Sequence, residues 1–112
     1  MPYIKIQTPV NAKDPEGLCK KVSALTAKLL GKPESYVQVA VSKPEAMTFG
    51  GTAEPAAFLE VKSIGLPEGS TRVISEKLCA LLEEELSIHQ NRIYIEFANA
   101  QGHMWGWDGK TF

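Results

Sequence analysis

The chain has 112 residues, of which 12 are basic and 13 acidic, for a formal net charge of −1. That length fits one domain spanning residues 1–112 and buries roughly 65% of the unfolded surface, enough for one core. No run of lysine or arginine is long enough to follow a phosphate backbone, and no stretch approaches the roughly 18 apolar residues of a membrane span, so neither nucleic acid nor membrane is an expected partner.

Met1 is followed directly by Pro2, and Pro2 runs into the alternating stretch Tyr3-Ile4-Lys5-Ile6-Gln7, a strand over residues 3–8. Lys5 interrupts any apolar leader, so a secretory signal is not expected and the cytoplasm is the default location. Removal of the initiator methionine would leave a free prolyl secondary amine at a strand end. Such an amine keeps a lone pair when unprotonated and can act as a base. Asp14-Pro15-Glu16 then supplies an N-cap, a first-turn proline and an acidic residue for the positive end of a helix. Leu18, Val22, Leu25 and Leu29 form one apolar stripe, and Gly31 with Pro33 ends it. A second strand is predicted over Tyr36-Val37-Gln38-Val39-Ala40-Val41.

The same order then repeats. Phe58 to Ile64 reads as a strand, Gly69-Ser70 opens a helix with Ile74, Leu78, Leu81, Leu82 and Leu86 on one face, and Arg92 to Phe97 is a final strand. Pro-Glu-Gly recurs at 15–17 and 67–69, Tyr36-Val37-Gln38 matches Tyr94-Ile95-Glu96, and each second strand is followed by a methionine, an aromatic residue and a glycine. The chain is therefore expected to be α+β: duplicated βαβ units forming a four-stranded mixed sheet with two helices on one face. Val37, Val39, Val41, Ile93, Ile95 and Phe97 would point to the core, leaving Tyr36, Gln38, Tyr94 and Glu96 on the other face. A sheet containing parallel pairs is seldom left open to water, so assembly with identical subunits is the economical cover.

Two cysteines, Cys19 and Cys79, lie in predicted helices without a Cys-x-x-Cys pair, and His89 and His103 lack metal-helix spacing. No metal site is expected, and buried free thiols are.

Several motifs, in order and spacing over nearly the whole chain, resemble the macrophage migration inhibitory factor family of the tautomerase superfamily. They are Met1-Pro2, Gly31-Lys32-Pro33, Met47-Thr48-Phe49-Gly50-Gly51 with Glu54-Pro55, Ser63-Ile64-Gly65, Arg92-Ile93-Tyr94-Ile95, and Gly106-Trp107 with Thr111-Phe112. The resemblance implies a homotrimer and a cofactor-independent keto–enol tautomerase acting on an aromatic α-keto acid such as phenylpyruvate, with Pro2 as general base. It assigns Lys32 to the substrate carboxylate and the amine, where position alone would have it complement a helix end. It assigns Ile64 to the pocket wall and to an N–H contact, where position alone reads as core packing. Tyr94 would reach a neighbouring subunit's pocket, or simply sit at an interface. Tyr36, Trp107 and Phe112 would form an aromatic rim, or seal the trimer edge. The family's animal cytokines make receptor binding the rival role, and no motif reads it. Two departures bear on the substrate: Glu96 stands where cytokine members carry asparagine, near the pocket mouth, and Trp105 replaces a smaller aliphatic residue. A Cys-x-x-Cys at Ala56 and Leu59 is lacking, so thiol oxidoreduction is not carried over.

Overall fold

The computed structural model describes residues 1–112. Strand β1 (Tyr3–Gln7), helix α1 (Pro15–Leu30) and strand β2 (Gln38–Ser42) form the first unit, and β3 (Ala57–Ile64), α2 (Ser70–Leu86) and β4 (Ile93–Ala100) the second. The sheet order is β2-β1-β3-β4. The outer pairs are parallel and the central β1/β3 pair is antiparallel, so a local two-fold relates the halves. The expected duplicated βαβ arrangement is present.

Alternation along the strands sends one face into the core. Ile4, Ile6, Leu59 and Val61 are fully buried and meet Leu18 and Val22 of α1 and Ile74, Leu78 and Leu82 of α2. Each such Ile or Leu contributes about 2 kcal/mol of transfer free energy. Val37 just before β2, and Val39, Val41, Ile95 and Phe97 in the edge strands, pack against the same cluster, as their spacing predicted. Both helices therefore cover one face, and an ion pair of Lys21 with Glu85 ties them together outside.

Helix α1 begins where its cap demands: the Asp14 carboxylate accepts from the Gly17 N–H at 3.0 Å, and Pro15 occupies the first turn. It ends at Gly31, whose φ of 62° lets the Lys32 N–H turn back to the Ala27 carbonyl at 3.1 Å. Two expected boundaries shift. Tyr36 closes a 3-10 turn over Glu34–Tyr36, and Arg92 closes another over Gln90–Arg92, so β2 and β4 start after them. Arg92 is needed elsewhere: its guanidinium donates to the carbonyls of Phe49, Thr52, Glu54 and Pro55 at 2.9–3.3 Å, fixing the segment before β3. Beyond β4, a 3-10 turn at Gly102–Met104 leads into a small hairpin of β5 (Gly106–Trp107) and β6 (Lys110–Thr111).

The outer face of the sheet forms three rows. Gln38, Tyr3, Lys62 and Ala98 make the first, Ala40, Lys5, Glu60 and Glu96 the second, and Ser42, Gln7, Phe58 and Tyr94 the third. The first row lies at the Pro2 end of the sheet.

Candidate functional site

Pro2 is fully buried, and its carbonyl accepts from the Gln38 N–H at 3.0 Å, which fixes the chain's start between β1 and β2. A cavity of about 360 Å³ opens beside it, with walls that include Met1, Pro2, Tyr36, Trp105, Trp107 and Phe112. Its aromatic wall is built from distant parts of the chain. Trp107 meets Tyr36 edge-on at 6.2 Å and stacks on Phe112 at 5.8 Å. The hairpin holds that wall in place: Asp108 and Gly109 take positive φ values of 52° and 75° in its turn, and the Phe112 N–H donates to the Trp105 carbonyl at 3.2 Å.

Lys32 leaves α1 just after its glycine cap, and its ammonium crosses to β3 to donate to the Ile64 carbonyl at 2.7 Å. Its hydrogen bond therefore goes to a strand end, not to the helix carbonyls. The terminal amine feels both effects that disfavour a positive charge. Burial first, then the Lys32 charge and a hydrogen bond from Lys32, lower the pKa of the Met1 amine below the usual α-amine value. Pro2, Lys32, Ile64, Tyr36, Trp105, Trp107 and Phe112 are thus gathered at one end of the sheet by four separate segments.

Tyr94 and Glu96 are not brought there by their own chain. Tyr94 is level with Phe58 and Gln7, at the opposite end of β1, and Glu96 is level with Glu60 and Lys5 in the middle row. At about 3.3 Å per residue, Tyr94 stands roughly 16 Å along the strand direction from Pro2. Its ring packs on Phe49 at 4.6 Å, and the Arg92 guanidinium also lies over the Phe49 ring, 5.2 Å from its centre.

A second cavity, about 490 Å³, lies over the first row of the outer face and includes Tyr3, Lys62, Asn99 and Met104 in its walls. Gln38, Trp105 and Gly106 line both cavities, so the two adjoin. Sequence reasoning singled out Trp105 and put Gln38 on the outer face, but gave no role to Tyr3 or Lys62; only the register of four strands puts Gln38, Tyr3 and Lys62 in one row.

The family description "Macrophage migration inhibitory factor (MIF)" matches residues 1–112. A macrophage migration inhibitory factor homolog of Brugia malayi is 43% identical over 115 residues, covering 100% of this chain and 99% of that protein. The macrophage migration inhibitory factor of Rattus norvegicus is 37% identical over 114 residues, covering 100% and 99%. The crystal structure of a macrophage migration inhibitory factor homologue from Prochlorococcus marinus superposes with a TM-score of 0.93 at 43% identity, covering 98% of each chain.

Proposed function

The chain belongs to the macrophage migration inhibitory factor family, and from that premise we propose that it is a keto–enol tautomerase acting on aromatic α-keto acids such as phenylpyruvate. In this reading residues 1–112 are one domain, three copies assemble, Met1 is removed in the cytoplasm, and the Pro2 amine is the general base. Phenylpyruvate enters with its ring against Trp107, Phe112 and Tyr36, where stacking and burial favour an aryl group. Its carboxylate or developing enolate oxygen takes the Lys32 donors that Ile64 leaves free; an ammonium has three, and the Ile64 carbonyl uses one. The Ile64 N–H is assigned to the same oxygen. Pro2 removes a proton from the carbon next to the carbonyl and delivers it to oxygen, or runs the transfer in reverse. The reaction is redox-neutral and moves only a proton, so it asks for no coenzyme.

The observation that carries this reading is the seat of Pro2, fully buried beside the aromatic cavity at the corner where burial and then Lys32 lower the pKa of the Met1 amine that precedes it; the Pro2 amine freed by loss of Met1 is assigned the same two influences. A base must be unprotonated near neutral pH, and an ordinary α-amine, with a pKa near 8, is mostly not. Trp105 sets the width of the pocket between its two halves. Tyr94 and Glu96 serve the pocket of an adjoining subunit, with Glu96 placing a carboxylate at its mouth.

The test joins mass spectrometry to kinetics. Protein lacking Met1 should turn over phenylpyruvate, and Pro2→Gly should lower kcat by about 100-fold or more, as expected for loss of a general base. Equal kcat in the two proteins defeats the proposal. A retained Met1 with no turnover leaves the rival role, a cytokine-like binding protein with a vestigial pocket.

A further inference from the structure

We propose that Asn99 is a positioning residue for the Pro2 site: its side-chain carbonyl holds the turn that ends β3, and through that turn fixes the Ile64 carbonyl on which the Lys32 ammonium rests. The proposal rests on the reading of the Pro2 cavity as the reaction site and deepens it with a residue that touches neither substrate nor base.

Strand β3 ends at Ile64, and Gly65 turns the chain out of the sheet with a φ of 66°. The next peptide N–H, that of Leu66, leaves the ladder of strand hydrogen bonds and needs another acceptor. Asn99 supplies it: its side-chain oxygen accepts from the Leu66 N–H at 2.9 Å. Register makes this reach possible, because Asn99 stands level with Ser63 across the parallel β3/β4 pair. Ser63 is fully buried, so both residues belong to the helix-covered side of the sheet and not to its outer face.

The glycine is what makes such an anchor necessary. With no Cβ it tolerates many backbone conformations, so sterics alone do not orient the peptides on either side of it. Two hydrogen bonds do. Before the glycine, Lys32 donates to the Ile64 carbonyl at 2.7 Å; after it, the Leu66 N–H donates to Asn99. The Leu66 side chain joins the core and sets the path of the chain, but not the tilt of the peptide that precedes it. The Ser63 hydroxyl also faces the Ile64 carbonyl, at 3.4 Å, too long to hold it firmly.

Lys32 depends on that carbonyl. It pairs with no carboxylate, and its flexible stem goes where the ammonium finds an acceptor. It is also the one charged group that acts on the terminal amine. A turn free to rotate at Gly65 would carry the Ile64 carbonyl away and let the ammonium leave the corner it shares with that amine. Both duties assigned to Lys32, disfavouring a protonated amine and receiving the substrate carboxylate, would then weaken together.

The test reads the amine directly. Protein freed of Met1 and carrying isotope-labelled proline is titrated by NMR, and phenylpyruvate kinetics are run on the same preparations. Asn99→Ala should move the pKa of the Pro2 amine up and raise KM about fivefold, the scale of one hydrogen bond, with kcat on the high-pH plateau less affected. Exchange of the Leu66 amide should quicken while the β1 amides stay protected, which shows that the fold is intact. Asn99→Ser, whose hydroxyl stops short of the Leu66 N–H, should give the same result. In a Lys32→Ala background Asn99→Ala should change neither the amine pKa nor KM any further, because no ammonium is left to place. An amine pKa and KM that ignore Asn99→Ala, or that change equally with and without Lys32, overturn the positioning role. A Lys32-dependent change of the amine pKa in a protein that does not turn over phenylpyruvate defeats the proposed reaction alone. An active enzyme indifferent to Asn99→Ala defeats the positioning role alone.

Discussion

At the scale of single residues, what sets Pro2 apart from an ordinary chain terminus is its neighbour. The Lys32 ammonium is held by the Ile64 carbonyl at 2.7 Å, and the terminal amine shares that corner. For the Met1 amine burial is the larger cause of the lowered pKa and Lys32 the second; with the Pro2 amine assigned the same surroundings once Met1 is lost, removing Lys32 should leave part of the effect in place. The sign follows from the chemistry. Activity needs the neutral amine, so kcat/KM rises with pH through the amine's pKa and is lost as pH falls below it. Without the lysine charge, protonation of the amine is less costly and its pKa moves up. Lys32→Ala should therefore shift the rising limb of the kcat/KM profile to higher pH. On the plateau above that limb a loss of about tenfold or more should remain, from the missing charge-assisted contact to the substrate carboxylate. A limb at the wild-type pH with a lowered plateau would assign Lys32 to substrate binding alone.

At the scale of elements, the C-terminal hairpin is what turns an open strand end into a walled pocket, and one glycine controls its seat. A Cβ on Gly102 would stand 2.7 Å from the Phe112 backbone oxygen, which no flexible side chain can relieve. Gly102→Ala should push the last residues outward and disturb the stack of Trp107 on Phe112. The expected result is a severalfold higher KM for phenylpyruvate with kcat less affected, and about 1–3 kcal/mol of lost stability in a denaturant melt. An unchanged KM would free the pocket of its C-terminal wall. This hairpin carried a readable signal, Trp107-Asp108-Gly109-Lys110, with the Asp-Gly turn that two-residue hairpins favour. Its two-residue strands gave no alternation to accompany it. The long elements were legible because each bears its own evidence: a cap at Asp14, a glycine stop at Gly31, and apolar stripes with period 3.6 or 2. Tyr36 and Arg92 were absorbed into strands because a single 3-10 turn before a strand breaks neither pattern. The Lys62 cavity was illegible for a different reason. It depends on strand register, a relation between segments that no local spacing carries.

At the scale of the whole molecule, the distribution of candidate residues points beyond one chain. Pro2 lies at one end of β1, and Tyr94 is level with the other end on the edge strand β4. β2 and β4 have free edges, Tyr94 is 61% exposed, and the outer face has no helix of its own chain over it. In the proposed trimer, Tyr94 of one subunit completes the pocket of the next, and particles of three times the 12.3 kDa subunit mass should sediment together. Such sharing has a consequence that a pocket within one chain does not. Pro2→Gly subunits lack the base but carry Tyr94, and Tyr94→Ala subunits carry the base but lack the tyrosine. When the two are unfolded together at equal amounts and refolded, a site is whole only where a Tyr94→Ala subunit supplies the proline and a Pro2→Gly neighbour supplies the tyrosine. Random assembly makes about one site in four whole, so activity should rise toward a quarter of wild type. If both residues serve their own subunit's pocket, every site lacks one of them and the mixture stays at the mean of the two variants. The same mixture assembled separately and combined without unfolding is the control, and it should gain activity only as fast as subunits exchange.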